Sequence, residues 1–238
     1  MGADVHFYFD PVCPFAWMTS KWVRMVREQR AYRIEWKFIS LRLINAHIDY
    51  ESHFPPGYEQ GHTAGLRMLR VAAAAQAAHG NEAVDALYAE LGAHVFETAQ
   101  WGPTTSPTAT AEVVAPLLAT AGLPTTLVEA LDDHSWDERI QAETDEALAL
   151  TGKDVGTPIL QFEPPDGVAF FGPVISRLPS PDTAVQLWDH VIGLAGFGGF
   201  AELKRSLREQ LQLPAFGVRP EEVGVQEDWH AGSRRLKR

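Results

Sequence analysis

The sequence predicts an α/β fold in which an all-helical insertion divides one small sheet. Three observations carry this. The chain opens with a β-α-β run, continues through a block of Ala- and Leu-rich helical segments, and returns to strand patterns after position 155. Each β-bearing part alone has too few strands for an independent sheet, so the two belong together. The expected organisation is a discontinuous α/β domain over 1–58 and 151–213, a helical insertion over 59–150 and a C-terminal tail over 214–238.

Val5-His6-Phe7-Tyr8-Phe9 is rich in strand-forming residues and ends at Asp10-Pro11, which reads as a central strand. Pro14 suits the first position of a helix, where its missing N–H is no loss, and Trp17, Met18, Lys21, Trp22, Met25 and Val26 follow a 3.6-residue period to about Gln29. Tyr32 to Ser40 alternates, with Ile34, Trp36 and Phe38 on one face and Arg33, Glu35 and Lys37 on the other, as in a half-buried strand. Asn45 to Tyr58 is irregular.

Helices are expected over Thr63–His79, from Asn81 to about Gln100, over Thr108–Ala121 and from Pro124 to about Leu131. A further helix runs to Leu150, with Ser135-x-x-Glu138 as its capping box. Ile159–Phe162 and Val168–Phe171 then form a hairpin around Pro165-Asp166-Gly167. Ser180-Pro181 opens a helix to about Leu194, and Phe200 to Leu211 reads as a last helix.

A formal charge of −11 argues against nucleic acid as the main partner, since the only basic cluster is Arg234-Arg235-Leu236-Lys237-Arg238. No segment approaches the ~18 consecutive apolar residues of a membrane span. The N-terminus lacks a basic region followed by an apolar stretch, so no signal peptide and a cytoplasmic location are expected. The nine histidines show no metal-ligand spacing. Gly193 to Gly199 follows a helix rather than a strand, unlike a dinucleotide loop, so no tightly bound cofactor is expected. Oligomeric state is not readable.

Cys13, the single cysteine, falls where strand gives way to helix. Unpaired N–H groups and the helix dipole at that point favour thiolate, the nucleophilic form. A dithiol motif would place its second cysteine at position 16, which holds Ala16, so no internal disulfide can close.

Asp10-Pro11-Val12-Cys13-Pro14 at the front and Val155-Gly156-Thr157-Pro158 before the third strand resemble the two halves of a thioredoxin-like active site, and the helical insertion narrows the likeness to the DsbA-like group. Trp17-x-Thr19-Ser20-x-Trp22, Ser40-Leu41 with Asn45, Tyr58, Gln76-Ala77-Ala78-His79-Gly80, Asp154-Val155-Gly156-Thr157-Pro158, Val168–Pro173 and Glu202–Arg205 resemble the actinobacterial mycothiol-dependent nitroreductases within that group. That family carries Cys-Pro-Trp-Cys, where this chain has Cys13-Pro14-Phe15-Ala16.

The resemblance implies Cys13 as nucleophile and mycothiol, or another small thiol, as co-substrate, acting on a small aromatic or disulfide substrate. Pro14, Phe15, Ala16, Asn45, Tyr58, Gly156, Thr157 and Pro158 would surround the thiol or the substrate, with a cis Thr157–Pro158 bond facing Cys13 and the Thr157 backbone pairing with the ligand. Two other readings stay open: a thiol-dependent isomerase or transferase resembling hydroxychromene-carboxylate isomerase or kappa-class glutathione transferase, and a non-catalytic thioredoxin-like binding module.

Overall fold

Strands β1 (Val5–Phe9) and β2 (Ile34–Phe38) pair in parallel, with Phe7 opposite Trp36, and helix α1 (Pro14–Arg27) connects them. β1 also pairs antiparallel with β3 (Ile159–Phe162), which in turn pairs with β4 (Ala169–Phe171). The sheet order is β2-β1-β3-β4. The computed structural model describes residues 2–98, 107–152, 155–205, 207–217 and 226–228. Asp154, the expected helix end at Gln100 and the basic run 234–238 lie outside them.

Period-two alternation along β1 divides the core. Val5, Phe7 and Phe9 join the main cluster with Trp17, Trp22 and Trp36, while Tyr8 packs with Ile39, Ala147 and Ile159. Helix α8 (Pro181–Ala195) closes over α1. The Trp22 indole N–H donates to the Ala184 carbonyl at 3.0 Å, and Trp188 meets Trp22, Tyr32 and Phe162.

Between β2 and β3 run α2 (Leu41–Ile44), α3 (Tyr50–His53), α4 (Tyr58–His79), α5 (Asn81–Glu97), α6 (Ala111–Thr120) and α7 (Asp137–Thr151). The stretch read as irregular, Asn45 to Tyr58, thus holds one short helix, α3, and follows directly on another, α2. α4 begins five residues before the expected Thr63, after Gly57 turns the chain in the left-handed region at φ 88°. Pro124–Leu131 is 3-10 helix, over Thr125–Asp132. The expected capping box gives way to a 3-10 turn, His134–Trp136, capped by the Asp133 carboxylate on the Ser135 N–H.

These helices finish the sheet. β2 is an edge strand, and an edge left open invites pairing with other chains. The Asn81 side chain accepts from the Trp36 N–H at 2.8 Å and donates to the Ile34 carbonyl at 2.7 Å, as a neighbouring strand would. Beyond it, the Glu143 carboxylate accepts from the Phe38 N–H and Thr144 Oγ1 from the Ser40 N–H.

Two glycines let α4 approach the loop before Cys13 and α5 approach α1. A Cβ at Gly65 would lie 2.5 Å from Asp10 Oδ1 and 2.7 Å from Val12 Cγ2, and one at Gly92 would lie 2.1 Å from the Trp17 ring.

The expected helix from Phe200 to Leu211 does not form. Residues 201–205 carry no regular structure, and β5 (Leu207–Glu209) pairs antiparallel with β6 (Gln226–Asp228). Leu211 and Leu213 are buried at two-residue spacing, whereas Leu203 is exposed, so the core takes an extended chain here rather than a helical stripe. This segment is tied down by the Gln212 N–H, which donates to the Ser176 carbonyl, and by Glu209, which accepts from the Ser176 hydroxyl and pairs with Arg177. A 3-10 turn at Pro214–Phe216 then packs against α5, so the chain stays attached to the core past position 214.

Candidate active site

Cys13 is the N-cap residue of α1, with extended backbone angles, and Pro14 takes the first helical position. Its Sγ accepts weakly from the Ala16 N–H at 3.5 Å and donates to the Thr157 carbonyl at 3.2 Å. Two segments of the chain 144 positions apart therefore meet at this sulfur. Thr157 is held by its own hydroxyl, which donates to the Tyr8 carbonyl at 2.9 Å, and the Thr157–Pro158 peptide is cis. The Pro158 carbonyl accepts from the Gly172 N–H, which fixes the far side of the loop.

Burial reverses the expected ionisation. Cys13 is only 4 % exposed, and loss of hydration pushes its thiol up to about 12. The charge of Asp10 acts in the same direction, while the Ala16 and Phe15 amides pull the other way without prevailing. A helix terminus contributes about 0.3–1 kcal/mol, less than the cost of placing an unpaired anion in apolar surroundings. In this closed arrangement Cys13 is a thiol.

Asp10, in the first motif but not among the expected site residues, lies at the base of the site. It is completely buried, accepting from the Val12 N–H at 3.0 Å and the Leu41 N–H at 2.8 Å. Burial raises its carboxyl to about 7 despite those two bonds. The same group thus ties the loop before Cys13 to the start of α2.

Of the other expected residues, Ala16 is completely buried, so it serves the sulfur through its N–H and offers no side-chain surface to a ligand. Phe15 is partly buried against the core. Asn45 caps α2, its side chain donating to the Leu41 carbonyl at 2.8 Å, so its amide braces the turn that reaches Asp10. The Thr157 carbonyl is engaged by Cys13, which leaves the expected backbone pairing with a ligand to begin by displacing that bond. Gly156 has open space where a side chain would stand. Tyr58 opens α4, half exposed, and stacks on Phe54.

Tyr50, Phe54 and His62 form a cluster with Tyr58 that went unread in the sequence. Their four-residue spacing, 50-54-58-62, was the available signal, broken by Pro55-Pro56-Gly57. Among the described residues no group of His, Cys, Asp and Glu is placed to hold a metal ion, and no helix is long and apolar enough to cross a membrane.

Comparisons with known proteins place the chain in a family and in a fold group. A family model described as Rv2466c-like, mycothiol-dependent nitroreductase Rv2466c, matches residues 12–205. The uncharacterized protein Rv2286c of Mycobacterium tuberculosis is 33% identical over 202 residues, covering 84% of this chain and 81% of its own length. Among solved structures, a probable DsbA oxidoreductase from Streptomyces coelicolor superposes with a TM-score of 0.51 at 13% identity, covering 87% of this chain and 95% of the other. The cytosolic disulfide reductase DsbM from Pseudomonas aeruginosa gives 0.50 at 17% identity, covering 80% and 99%. The fold is thioredoxin-like with a helical insertion, as in DsbA.

Proposed function

The chain belongs to the Rv2466c-like family of mycothiol-dependent nitroreductases, and on that premise we propose that it is a monothiol oxidoreductase, with Cys13 as its nucleophile and mycothiol as its co-substrate. The observation that carries this reading is the meeting of Cys13 Sγ with the Thr157 carbonyl at 3.2 Å, at the start of α1, with no second thiol at position 16.

A small thiol takes the place of the missing cysteine. Cys13 and one mycothiol deliver two electrons and two protons to an acceptor such as a quinone, leaving a hydroquinone and a mixed disulfide on Cys13. A second mycothiol attacks that disulfide, releasing mycothiol disulfide and restoring the Cys13 thiol. Overall, two thiols are oxidised for each acceptor reduced by two electrons. A disulfide acceptor is handled by the same exchange.

Because burial is what holds the Cys13 proton, ionisation requires water or a polar ligand beside the sulfur. Displacement of the Thr157 bond by the incoming thiol supplies that contact. Phe15 and Tyr58 would face an aromatic acceptor, while Pro14, Gly156 and Pro158 bound the sulfur's surroundings. A reducing cytoplasm would keep the thiol supplied.

Ala16 specifically favours a second reading, thiol-dependent isomerisation or transfer, because neither needs a resolving cysteine. Stoichiometry separates the two. Incubation with mycothiol and a naphthoquinone is expected to consume two thiols per quinone reduced, and Cys13→Ser is expected to abolish turnover. Isomerisation that consumes no thiol selects the second reading, and full turnover by Cys13→Ser removes both.

A further inference from the structure

The wall of chain opposite Cys13 is bonded to α1 at two points. At the start of the helix, Cys13 Sγ donates to the Thr157 carbonyl at 3.2 Å. Further along, the Thr19 hydroxyl donates to the Pro173 carbonyl at 2.7 Å, across 154 positions of sequence. Helical rise separates the two points by roughly 9 Å. The wall between them is continuous. The Gly172 N–H donates to the Pro158 carbonyl at 2.8 Å, so Pro173 and Thr157 each adjoin one end of the same bond. A further attachment, from the Thr157 hydroxyl to the Tyr8 carbonyl at 2.9 Å, fixes the wall to β1.

Thr19 departs from the usual habit of its residue type. Inside a helix, threonine commonly returns its hydroxyl to the carbonyl four residues back. Thr120, Thr144 and Thr151 do this, at 3.0, 2.8 and 3.1 Å. Thr19 instead reaches out of its helix to a distant loop. It is completely buried, where valine would fill the same space with no hydroxyl to desolvate. What the hydroxyl adds is the bond to Pro173.

The two points differ in what the chemistry does to them. A disulfide at Cys13 has no S–H, so its formation removes the bond to Thr157. The Thr19 bond contains no reacting atom and persists while the sulfur is occupied.

We propose that Thr19 is a positioning residue: its hydroxyl holds the wall at 157–173 in register with α1 while Cys13 carries a thiol, so that the freed Thr157 backbone stays in place for that thiol. A wall already held loses little conformational freedom when it receives a ligand. The proposal rests on the monothiol reading of Cys13 and extends it to the group that keeps the second side of the site in position.

Two rates at Cys13 separate positioning from packing. Alkylation by iodoacetamide needs access alone. Attack of the Cys13 thiolate on mycothiol disulfide, which forms the mixed disulfide and releases one mycothiol, also needs the wall in place. Thr19→Val keeps the shape and removes the donor. It is expected to raise the first rate and lower the second, each by about tenfold, the equivalent of one hydrogen bond, and Thr19→Ser to return both to within about threefold of the parent. Both rates unchanged, or both moved in one direction, in a Thr19→Val chain that is folded by circular dichroism overturns the proposal. A parent that takes up no mycothiol removes the monothiol reading instead. The wall is then judged in the unsubstituted protein with Cys13 blocked by methyl methanethiosulfonate, which also serves if Thr19→Val does not fold. Hydrogen exchange at the Gly172 N–H is expected to stay within about threefold of the unblocked protein, and loss of its protection overturns the proposal.

Discussion

Asp10→Asn isolates the energetics beneath Cys13. The buried Asp10 carboxyl stands at about 7 in the fold, against 3.8 for the free group. The folded protein therefore binds this proton more tightly than the unfolded chain does. The contribution of Asp10 to stability is full below pH 3.8 and is lost as pH rises to about 7. At 1.36 kcal/mol per unit, that loss is about 4 kcal/mol. Asparagine has the same shape and no charge. One end of its amide accepts from one of the two backbone N–H groups now bound by Asp10, at Val12 and Leu41, but the other end presents a donor to a donor. That mismatch costs about 1–3 kcal/mol at every pH. The variant is thus expected to be less stable than the parent at pH 4 by about 1–3 kcal/mol and as stable or more so at pH 8 by a similar amount. Urea unfolding of both proteins across that range, followed by tryptophan fluorescence, reads the difference directly, and contributions common to both cancel. A difference that stays constant within about 0.5 kcal/mol refutes the buried, proton-binding carboxyl.

Alkylation of the native protein with iodoacetamide is expected to be slow at pH 7 and to keep rising through pH 10, since burial holds the Cys13 thiol up at about 12; a plateau near pH 7 contradicts this. Gly65→Ala drives a methyl group into Asp10 and Val12, with an expected loss of about 1–3 kcal/mol and faster Cys13 alkylation as α4 lifts from the loop; an unchanged Tm and rate would show that the close approach is not required. Asn81→Ala leaves the Trp36 N–H and the Ile34 carbonyl without this side chain, for an expected loss of about 1–3 kcal/mol by urea unfolding; a change below about 0.5 kcal/mol would mean that the edge of β2 is satisfied without it.

Features set by neighbours in the chain were legible in the sequence. The alternation of Ile34, Trp36 and Phe38 placed β2, and Cys13-Pro14 placed the start of α1. Misreadings arose where distant parts of the chain decide. Helix-terminus electrostatics at Cys13 are local, but the residue is buried and its sulfur meets Thr157, 144 positions away. Asn81 reads as the start of a helix, which it is, but nothing near it in the chain shows that its side chain serves the edge of β2. Leu203, Leu207 and Leu211 have helical spacing, but Leu203 is exposed, and Leu211 shares the core with Leu213 along an extended chain. Asp10 read as the end of a strand because its partner at Leu41 lies 31 positions away.

The central claim, that Cys13 is a monothiol exchanged with a small thiol, is tested most directly by intact mass. The protein is incubated with mycothiol disulfide, weighed, then treated with reduced mycothiol and weighed again. One mycothiol is expected to add at Cys13 in the native protein and none in Cys13→Ser, with complete removal by the second treatment. No adduct on the native protein, while the urea-unfolded chain takes one up, would contradict it.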